Sequence, residues 1–581
     1  MPKSSCPLET VFQNPAATFW PTPIWWWSGE PLEIDRLRWQ MRRLAEGGVR
    51  NLVILNLAPA GPLYGKDADQ PALFTEAWWM IFEQVCREAE SLGVYLYFYD
   101  QIGFSGANFQ GRLASRNPAF QARTLLRESR KVGAGDIVSL PHDSAPLAAF
   151  YRADPAAAPQ QLKFEGHGVA APAAGHVQVI GCQVHGFNYF SPEACQALLE
   201  SVHGQFERHV GSYLGKVIVG SFQDELPEMP LWSDDFAGLF QKRFGYSLLE
   251  KLWELWEGDD ARAMQIRVDY HTLRAELAET AFFKPFFDWH ERYQLICGFD
   301  QQGPARAGEL YGCVRLYADY VRTHRWYAAP GADLHGEAHI HRALADTYLR
   351  PRVWMEGFHS TGWGGTLEET FDWLVPWLRS GANLYNPHAV YYGTRGGWWE
   401  WAPPSTCFRQ PYWRHYKSFA RAVARSCHAL TLGDHDCTTA VYYPTVAAQA
   451  GIAGGIAGGI AGGIAEHGIT LAAASAITLH IRLKVPPQTH LTPGIPVTLR
   501  VSNGPHILTE QSVDPRGHPR IKFVFRPLAD QVRWLAGSWH VSVFYAYCTQ
   551  GHGSVCRPSH LRWVVPVALA AHGAHRVDLR P

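Results

Sequence analysis

A chain of 581 residues is longer than one ordinary core encloses, so one large domain with one or two smaller ones is expected. Its 52 Lys and Arg against 53 Asp and Glu leave a net charge of −1, which excludes a global pull toward nucleic acid or an anionic membrane. The 11 cysteines form no C-x-x-C pair, which argues against structural zinc or a disulfide framework; with no leader-like or membrane-length apolar run, a cytoplasmic protein off the membrane is expected.

From residue 24 to about 430, short apolar runs alternate with amphipathic stretches of helical length, the pattern of βα units and a parallel sheet. The strand candidates are P-I-W-W-W-S-G (23–29), N-L-V-I-L-N-L (51–57), V-Y-L-Y-F-Y-D (94–100), K-V-I-V-G-S-F (216–222), Y-Q-L-I-C-G-F (293–299), G-A-D-L-H-G-E (331–337), R-V-W-M-E-G-F (352–358) and A-N-L-Y-N-P-H (382–388). Between the first two, Ile34, Leu37, Met41 and Leu44 recur at helical spacing, and Gly47 and Gly48 stop the helix. Eight such units predict an α/β fold, a (β/α)8 TIM barrel over residues 1–435. Ala/Pro/Gly-rich text at about 120–188 reads as an insertion after strand 3 with a small β excursion. Residues 436–468 read as a strand plus a linker of Gly/Ile/Ala repeats, in which frequent glycine disfavours a helix by roughly 1 kcal/mol each. Period-two alternation in A-I-T-L-H-I-R-L-K-V and W-H-V-S-V-F-Y-A-Y makes residues 469–581 a small β-sandwich-like domain.

In a (β/α)8 barrel the C-terminal ends of the strands converge on one mouth, where active sites sit. Here those ends read Y-D-Q-I-G-F-S-G, Q-D-E-L-P, D-L-H-G-E-A-H, E-G-F-H-S-T-G-W-G-G and N-P-H-A-V-Y-Y-G-T-R-G-G-W-W-E-W, rich in carboxylates, histidines and tryptophans. Cleavage of a glycosidic bond needs one carboxyl to protonate the leaving oxygen and a second to attack or to activate water. Glu225 and Glu356, at the ends of strands four and seven, are the catalytic candidates. Asp100, Asp224, His359, Trp363, His388, Tyr392 and Arg395 are the candidates for binding sugar hydroxyls. Trp26 and Trp399, among 23 tryptophans, are the candidate stacking faces. Trp232 supplies an apolar wall, and that wall and the Asp224 charge should raise the pKa of Glu225.

These motifs, W-W-W-S-G, Y-D-Q-I-G-F-S-G-A-N-F-Q-G, S-F-Q-D-E-L-P and E-G-F-H-S-T-G-W-G-G-T-L-E-E, with G-A-N-L-Y-N-P-H-A-V-Y-Y-G-T-R-G and A-P-P-S, resemble glycoside hydrolase family 106, the α-L-rhamnosidases, over about residues 20–445. The resemblance implies hydrolysis of terminal α-L-rhamnosyl linkages with inversion, Glu225 as general acid and Glu356 as base. It implies no cofactor for the chemistry, although a calcium ion near the substrate occurs in some members. Strand-four and strand-seven placement usually accompanies retention instead, and the carboxyl separation decides between the two. Gln101 stands where relatives carry Glu, and the Gly/Ile/Ala repeat replaces their longer continuation.

Two other readings stay open. His335, Glu337 and His339 share one face if they lie on a strand, as the metal ligands of a barrel hydrolase would. Gln101 and the unusual tail would also suit a catalytically silent carbohydrate-binding barrel. The expected partner is a carbohydrate substrate, with neither nucleic acid nor membrane, and the oligomeric state is open.

Overall fold

The computed structural model describes residues 8–451 apart from 28–29, 57–69, 105–106, 155–156, 307, 335, 337, 359–360, 395–403, 434 and 436–442, and beyond them the strands between 469 and 579. The chain divides into two compact units, Met1–Ala453 and Gly454–Pro581.

In the first unit, nine short strands pair in parallel: β1 (Ile24–Trp26), β2 (Asn51–Leu55), β3 (Tyr95–Tyr99), β4 (Ile218–Asp224), β5 (Ile296–Asp300), β6 (Gly331–Ala332), β7 (Trp354–Gly357), β8 (Leu384–Pro387) and β9 (Val390–Tyr391). They form a six-stranded sheet in the order β5-β4-β3-β2-β1-β9 and a three-stranded sheet in the order β6-β7-β8. A parallel bridge between Gly298 and Ala329 ties β5 to the residues before β6. On the other side, the Thr22 N–H donates to the Tyr385 carbonyl at 2.8 Å, tying the entry to β1 onto β8. The result is a mixed α/β fold built on parallel sheet. The eight strands expected between residues 23 and 388 are present, but the sixth spans two residues where seven were expected, because the chain turns away after Ala332. Of the strand expected within 436–468, residues 436–442 lie outside the described residues and Thr445 already begins a helix.

Alternation places one face of most of these strands in a shared apolar layer that includes Trp26, Val53, Leu55, Tyr97, Tyr99, Phe222, Trp354 and Leu384. Trp354 of β7 stacks on Phe222 of β4 with ring centroids 4.7 Å apart, so strands of the two sheets meet across this layer. Two glycines make room for the rings. A Cβ on Gly298 would lie 2.2 Å from the Trp354 indole, and one on Gly220 would lie 2.5 Å from the Tyr97 ring. Burying a side chain such as Phe222 contributes about 1.5–3 kcal/mol.

The helices follow the expected pattern. Helix Ile34–Glu46 buries Leu37, Met41 and Leu44 and ends at Gly47. Helix Leu367–Arg379, after β7, starts in a capping box between Thr366 and Glu369. Helix Thr445–Gly451 also belongs to the first unit: the Gln449 side chain donates to the Ala318 carbonyl at 3.0 Å, and Ala448 packs on Val314. The first unit therefore continues past residue 435, and the Gly/Ile/Ala repeat that follows, 452–468, lies outside the described residues.

The insertion is a four-stranded antiparallel sheet in the order Gln121–Val132, Gly175–Phe187, Ala145–Arg152, Gln160–Leu162, with Ile137–Ser139 and Gly168–Ala170 paired beside it. It has its own core around Val138, Val169, Val177 and Val179. Arg123 and Trp232 exchange two backbone hydrogen bonds of 3.0 Å, which pin this sheet to the loop after β4. The second unit contains a six-stranded sheet, mostly antiparallel, and a three-stranded one. Among the described residues, no helix is long and apolar enough to cross a membrane, and Cys86, Cys182, Cys195, Cys297, Cys313, Cys407 and Cys427 of the first unit are free and buried.

Candidate active site

Strand parity builds the site. Gly220, Phe222 and Asp224 alternate on one face of β4, as do Gly298 and Asp300 on β5 and Trp354 and Glu356 on β7. The inward position just beyond the apolar layer is thus a carboxylate on three strands. Asp224 and Asp300 stand opposite each other in the β4–β5 register. One oxygen from each of Asp224, Asp300 and Glu356 lies within 4.8 Å of the other two.

Glu225 follows Asp224 but leaves the alternation, because its backbone is left-handed at φ +47°. Gln101 (φ +60°) and Phe358 (φ +75°) make the same departure just past β3 and β7. Each such residue costs about 1–3 kcal/mol, and strain of this kind gathers at functional sites. The turn leaves the Glu225 side chain 30 % exposed and hydrogen-bonded to the Arg306 guanidinium. Arg306 also reaches Asp300 at 3.4 Å and Asp333 at 3.2 Å. The Asp333 N–H in turn donates to Asp300 at 2.9 Å. Three carboxylates, Glu225, Asp300 and Asp333, therefore share one arginine beside Asp224 and Glu356.

Burial and mutual repulsion shape their protonation. The Asp224 carboxyl is pushed up to about 8, first by loss of water and then by the Glu225 charge, against the 2.7 Å hydrogen bond donated by the Tyr99 hydroxyl. Glu356, only 4 % exposed, is held well above the usual carboxylate range by burial and by the charges of Asp224, Asp300 and Asp333. Its Oε2 accepts no hydrogen bond from the described residues. Burial also raises Glu225, with Arg306 pulling the other way. Asp300 rises well above its usual range through burial and the Asp333 charge. Burial works against the charge on Arg306, but Asp300, Asp333, Glu225 and Asp224 together outweigh it and raise its pKa.

Other expected residues lie elsewhere or serve the frame. Asp100 is buried and accepts from the Ile102 N–H at 2.9 Å and the Gln223 amide at 2.8 Å, and burial lifts its pKa to about 7. The Gln101 side chain donates to the Asn56 carbonyl, a bond that an ionised Glu could not make. Trp26 is 1 % exposed and meets His388 edge to face at 5.2 Å within the apolar layer, so its ring offers no open face to a sugar. The Tyr392 hydroxyl donates to the Pro31 carbonyl and accepts from the Glu33 N–H, both at 2.9 Å, and so anchors the chain after β1. Trp232 is buried against Phe236 at the junction with the insertion. Trp363 is 39 % exposed in the loop after β7. His359, Arg395 and Trp399 lie outside the described residues. So do His335 and Glu337, while His339 begins helix His339–Thr347 beyond the end of β6, so it does not extend that strand as a ligand row would.

Asp300, Asp333, Arg306 and Tyr99 were not among the expected site residues. Asp300 directly follows the quoted fifth run Y-Q-L-I-C-G-F, where the strand-end rule would have found it. Asp333 opens the strand end D-L-H-G-E-A-H, where the same rule would have found it, whereas Arg306 ends the short helix Gly303–Arg306 and nothing in its local pattern announces it.

The all-oxygen set of Asp224, Asp300 and Glu356, with the unpartnered Glu356 Oε2, has the donor chemistry of a calcium site.

No family profile and no curated protein matches this sequence. Among solved structures, a rhamnosidase from Novosphingobium sp. PP1Y matches with a TM-score of 0.52 at 11 % identity, over 74 % of this chain and 61 % of that one. A β-galactosidase from the psychrophilic Marinomonas ef1 matches with a TM-score of 0.38 at 12 % identity, over 69 % of this chain and 59 % of that one. An endo-β-1,4-mannanase from Thermotoga petrophila gives 0.32 at 7 % identity, over 95 % and 98 %. All three are glycoside hydrolases. The rhamnosidase similarity shows a shared fold, and the other two are too distant to carry an argument. This chain spans about three fifths of the length of the rhamnosidase.

Proposed function

We propose that this chain is a glycoside hydrolase on a closed (β/α)8 barrel, cleaving a terminal glycosidic bond, with α-L-rhamnosides as the first substrate class. The observation that carries the reading is the convergence of Asp224, Asp300 and Glu356, oxygens within 4.8 Å, beside Glu225 at the ends of parallel strands. Closure is supported by the strand order and by the two links between the sheets, at Ala329 and at Thr22. The sugar rests on the motif resemblance, and the fold shared with the rhamnosidase is consistent with it.

In this reading Glu225, at the more open side, donates its proton to the leaving oxygen, and burial raises its pKa toward that role. Glu356, whose burial and carboxylate neighbours favour the protonated form, activates the water once it is ionised. The alternative pair, Asp224 with Glu356, brings oxygens closer than the roughly 6.5–9.5 Å carboxyl separation that admits a water for inversion. Asp224 therefore holds a sugar hydroxyl, oriented by Tyr99. Arg306 offsets part of the negative charge and fixes Glu225 in its left-handed turn. Asp224, Asp300 and Glu356 would hold a calcium ion, which would supply fixed positive charge and a contact for sugar hydroxyls.

The test is hydrolysis of a panel of aryl glycosides, led by the α-L-rhamnoside, with the product anomer followed by NMR. Wild type should turn over one sugar, and Glu225→Gln and Glu356→Gln should each lower kcat by about 10²–10⁴-fold. With Glu225→Gln, glycosides of the best leaving groups should suffer least. Folded wild type that binds a sugar but turns over none would favour the silent binding barrel.

A further inference from the structure

A cleft of about 710 Å³ runs between the loop after β3, the loop after β4 and the inserted sheet. We propose that it receives the leaving-group side of the glycoside, a ring with one apolar face and hydrogen-bonding edges, whether an aryl group or a second sugar. The proposal rests on the glycosidase reading above and extends it to a part of the chain that the carboxylates do not touch.

Continuity with the candidate active site comes first. A Cβ on Gly103 would stand 1.5 Å from the Asp224 carbonyl oxygen, so the loop after β3 lies directly on the end of β4. Phe104 donates its N–H to that same carbonyl at 2.6 Å. Pro227 and Glu228, two and three residues past the proposed acid, line the cleft. Gly103, which lines the cleft, thus packs directly on the backbone that carries Asp224 and Glu225, beside the place where the oxygen of a departing group would emerge.

The cleft is also pre-formed. Its floor, Met229, Pro230 and Leu231, belongs to no helix or strand, yet every carbonyl of the three is held. The buried Arg274 guanidinium donates to Pro230 at 2.8 Å and to Met229 at 3.0 Å, and the Tyr270 hydroxyl donates to Leu231 at 2.7 Å. The Met229 N–H donates to the Leu316 carbonyl at 2.7 Å. Arg274 therefore spends a fully buried cation on backbone carbonyls and the His271 ring, with no ion pair among the described residues, an arrangement that fixes a loop in one shape. A floor ordered before binding loses little entropy when a ligand arrives.

Size and lining agree. The volume falls within the roughly 300–1,000 Å³ of small-molecule sites. The floor is apolar, whereas Thr124 and His185 from the inserted sheet and Glu228 opposite bring polar edges. Val184 stands at the outer rim, 46 % exposed, on the strand Gly175–Phe187. The insertion thus forms the outer wall, pinned at Arg123 and Trp232.

The experiment compares three substrates of the sugar selected by the panel: its glycosyl fluoride, an aryl glycoside and a disaccharide. Val184→Trp fills the rim and His185→Ala removes an edge contact. Val184→Trp should lower kcat/KM for the aryl glycoside and disaccharide by about tenfold or more, mainly through KM. Hydrolysis of the fluoride, whose leaving group is too small to reach the cleft, should be unchanged, which also shows that the variant is folded. His185→Ala should act in the same direction by less. Losses confined to the disaccharide would identify a second sugar as the occupant, and losses confined to the aryl glycoside an aromatic group. Equal losses on all three substrates, or none on any, would overturn the proposal while wild-type turnover of the fluoride kept the glycosidase reading. Absence of fluoride turnover by wild type would overturn both.

Discussion

The inward faces of β4, β5 and β7 carry opposite chemistries at successive levels. At the lower level Phe222 and Trp354 stack, and Gly298 leaves the space that the indole fills. Two residues further along the same faces stand Asp224, Asp300 and Glu356, buried carboxylates whose charged forms are disfavoured by burial and by one another. One geometric rule, the two-residue period of a strand, positions both levels, yet the lower stabilises the fold while the upper strains it. A dry, close-packed floor can hold a charge cluster that would not assemble alone, and Arg306 is the cation that tempers it.

The contrast has measurable consequences. Arg306→Met should be the most damaging, because it leaves Glu225, Asp300 and Asp333 without their shared cation; a loss of about 3–5 kcal/mol at pH 7 is expected in urea unfolding. The loss should shrink on acidification as the carboxylates protonate, and an equal loss at pH 5 would mean that Arg306 acts by packing alone. Gly298→Ala attacks the lower level by driving a methyl into the Trp354 ring, with an expected cost of about 1–3 kcal/mol. An unchanged Tm would show that this layer yields easily.

Asp224→Asn should have little effect near pH 4, and its effect should be visible in the pH dependence. The folded pKa of Asp224, about 8, lies above its unfolded value of about 3.9, so between these values the folded state binds more protons. Stability should therefore fall as pH rises through that window, by at most about 1.4 kcal/mol per pH unit from this group, and level off above it. The Asn variant should match wild type near pH 4 and exceed it increasingly up to pH 8. Parallel curves would place the raised protonation on another member of the cluster.

The strands were legible because apolar runs bounded by turn residues need only local information. The same pattern, joined to the strand-end rule, reached Asp224, Glu225 and Glu356. It stopped short of Asp300, which directly follows the quoted run, and it treated Trp26 and Tyr392 as ligand contacts. Trp26 is instead packed against His388 and Tyr391, and the Tyr392 hydroxyl is taken by Pro31 and Glu33. Whether a ring is an open platform or a filler depends on neighbours hundreds of residues away, which no local period encodes.

By itself the sequence determined where the strands run, which side chains share a face, and that carboxylates stand at the ends of strands four and seven, since backbone geometry imposes a two-residue alternation on any strand. The tertiary structure alone decided that Arg306, at the end of the short helix Gly303–Arg306 after β5, would close on Glu225, Asp300 and Asp333. It also decided that Glu225 would turn out of the alternation toward that arginine and that the inserted sheet would wall a cleft beside them. Those are relations between segments distant in the chain, set by packing across strands and by the pairing of buried charge.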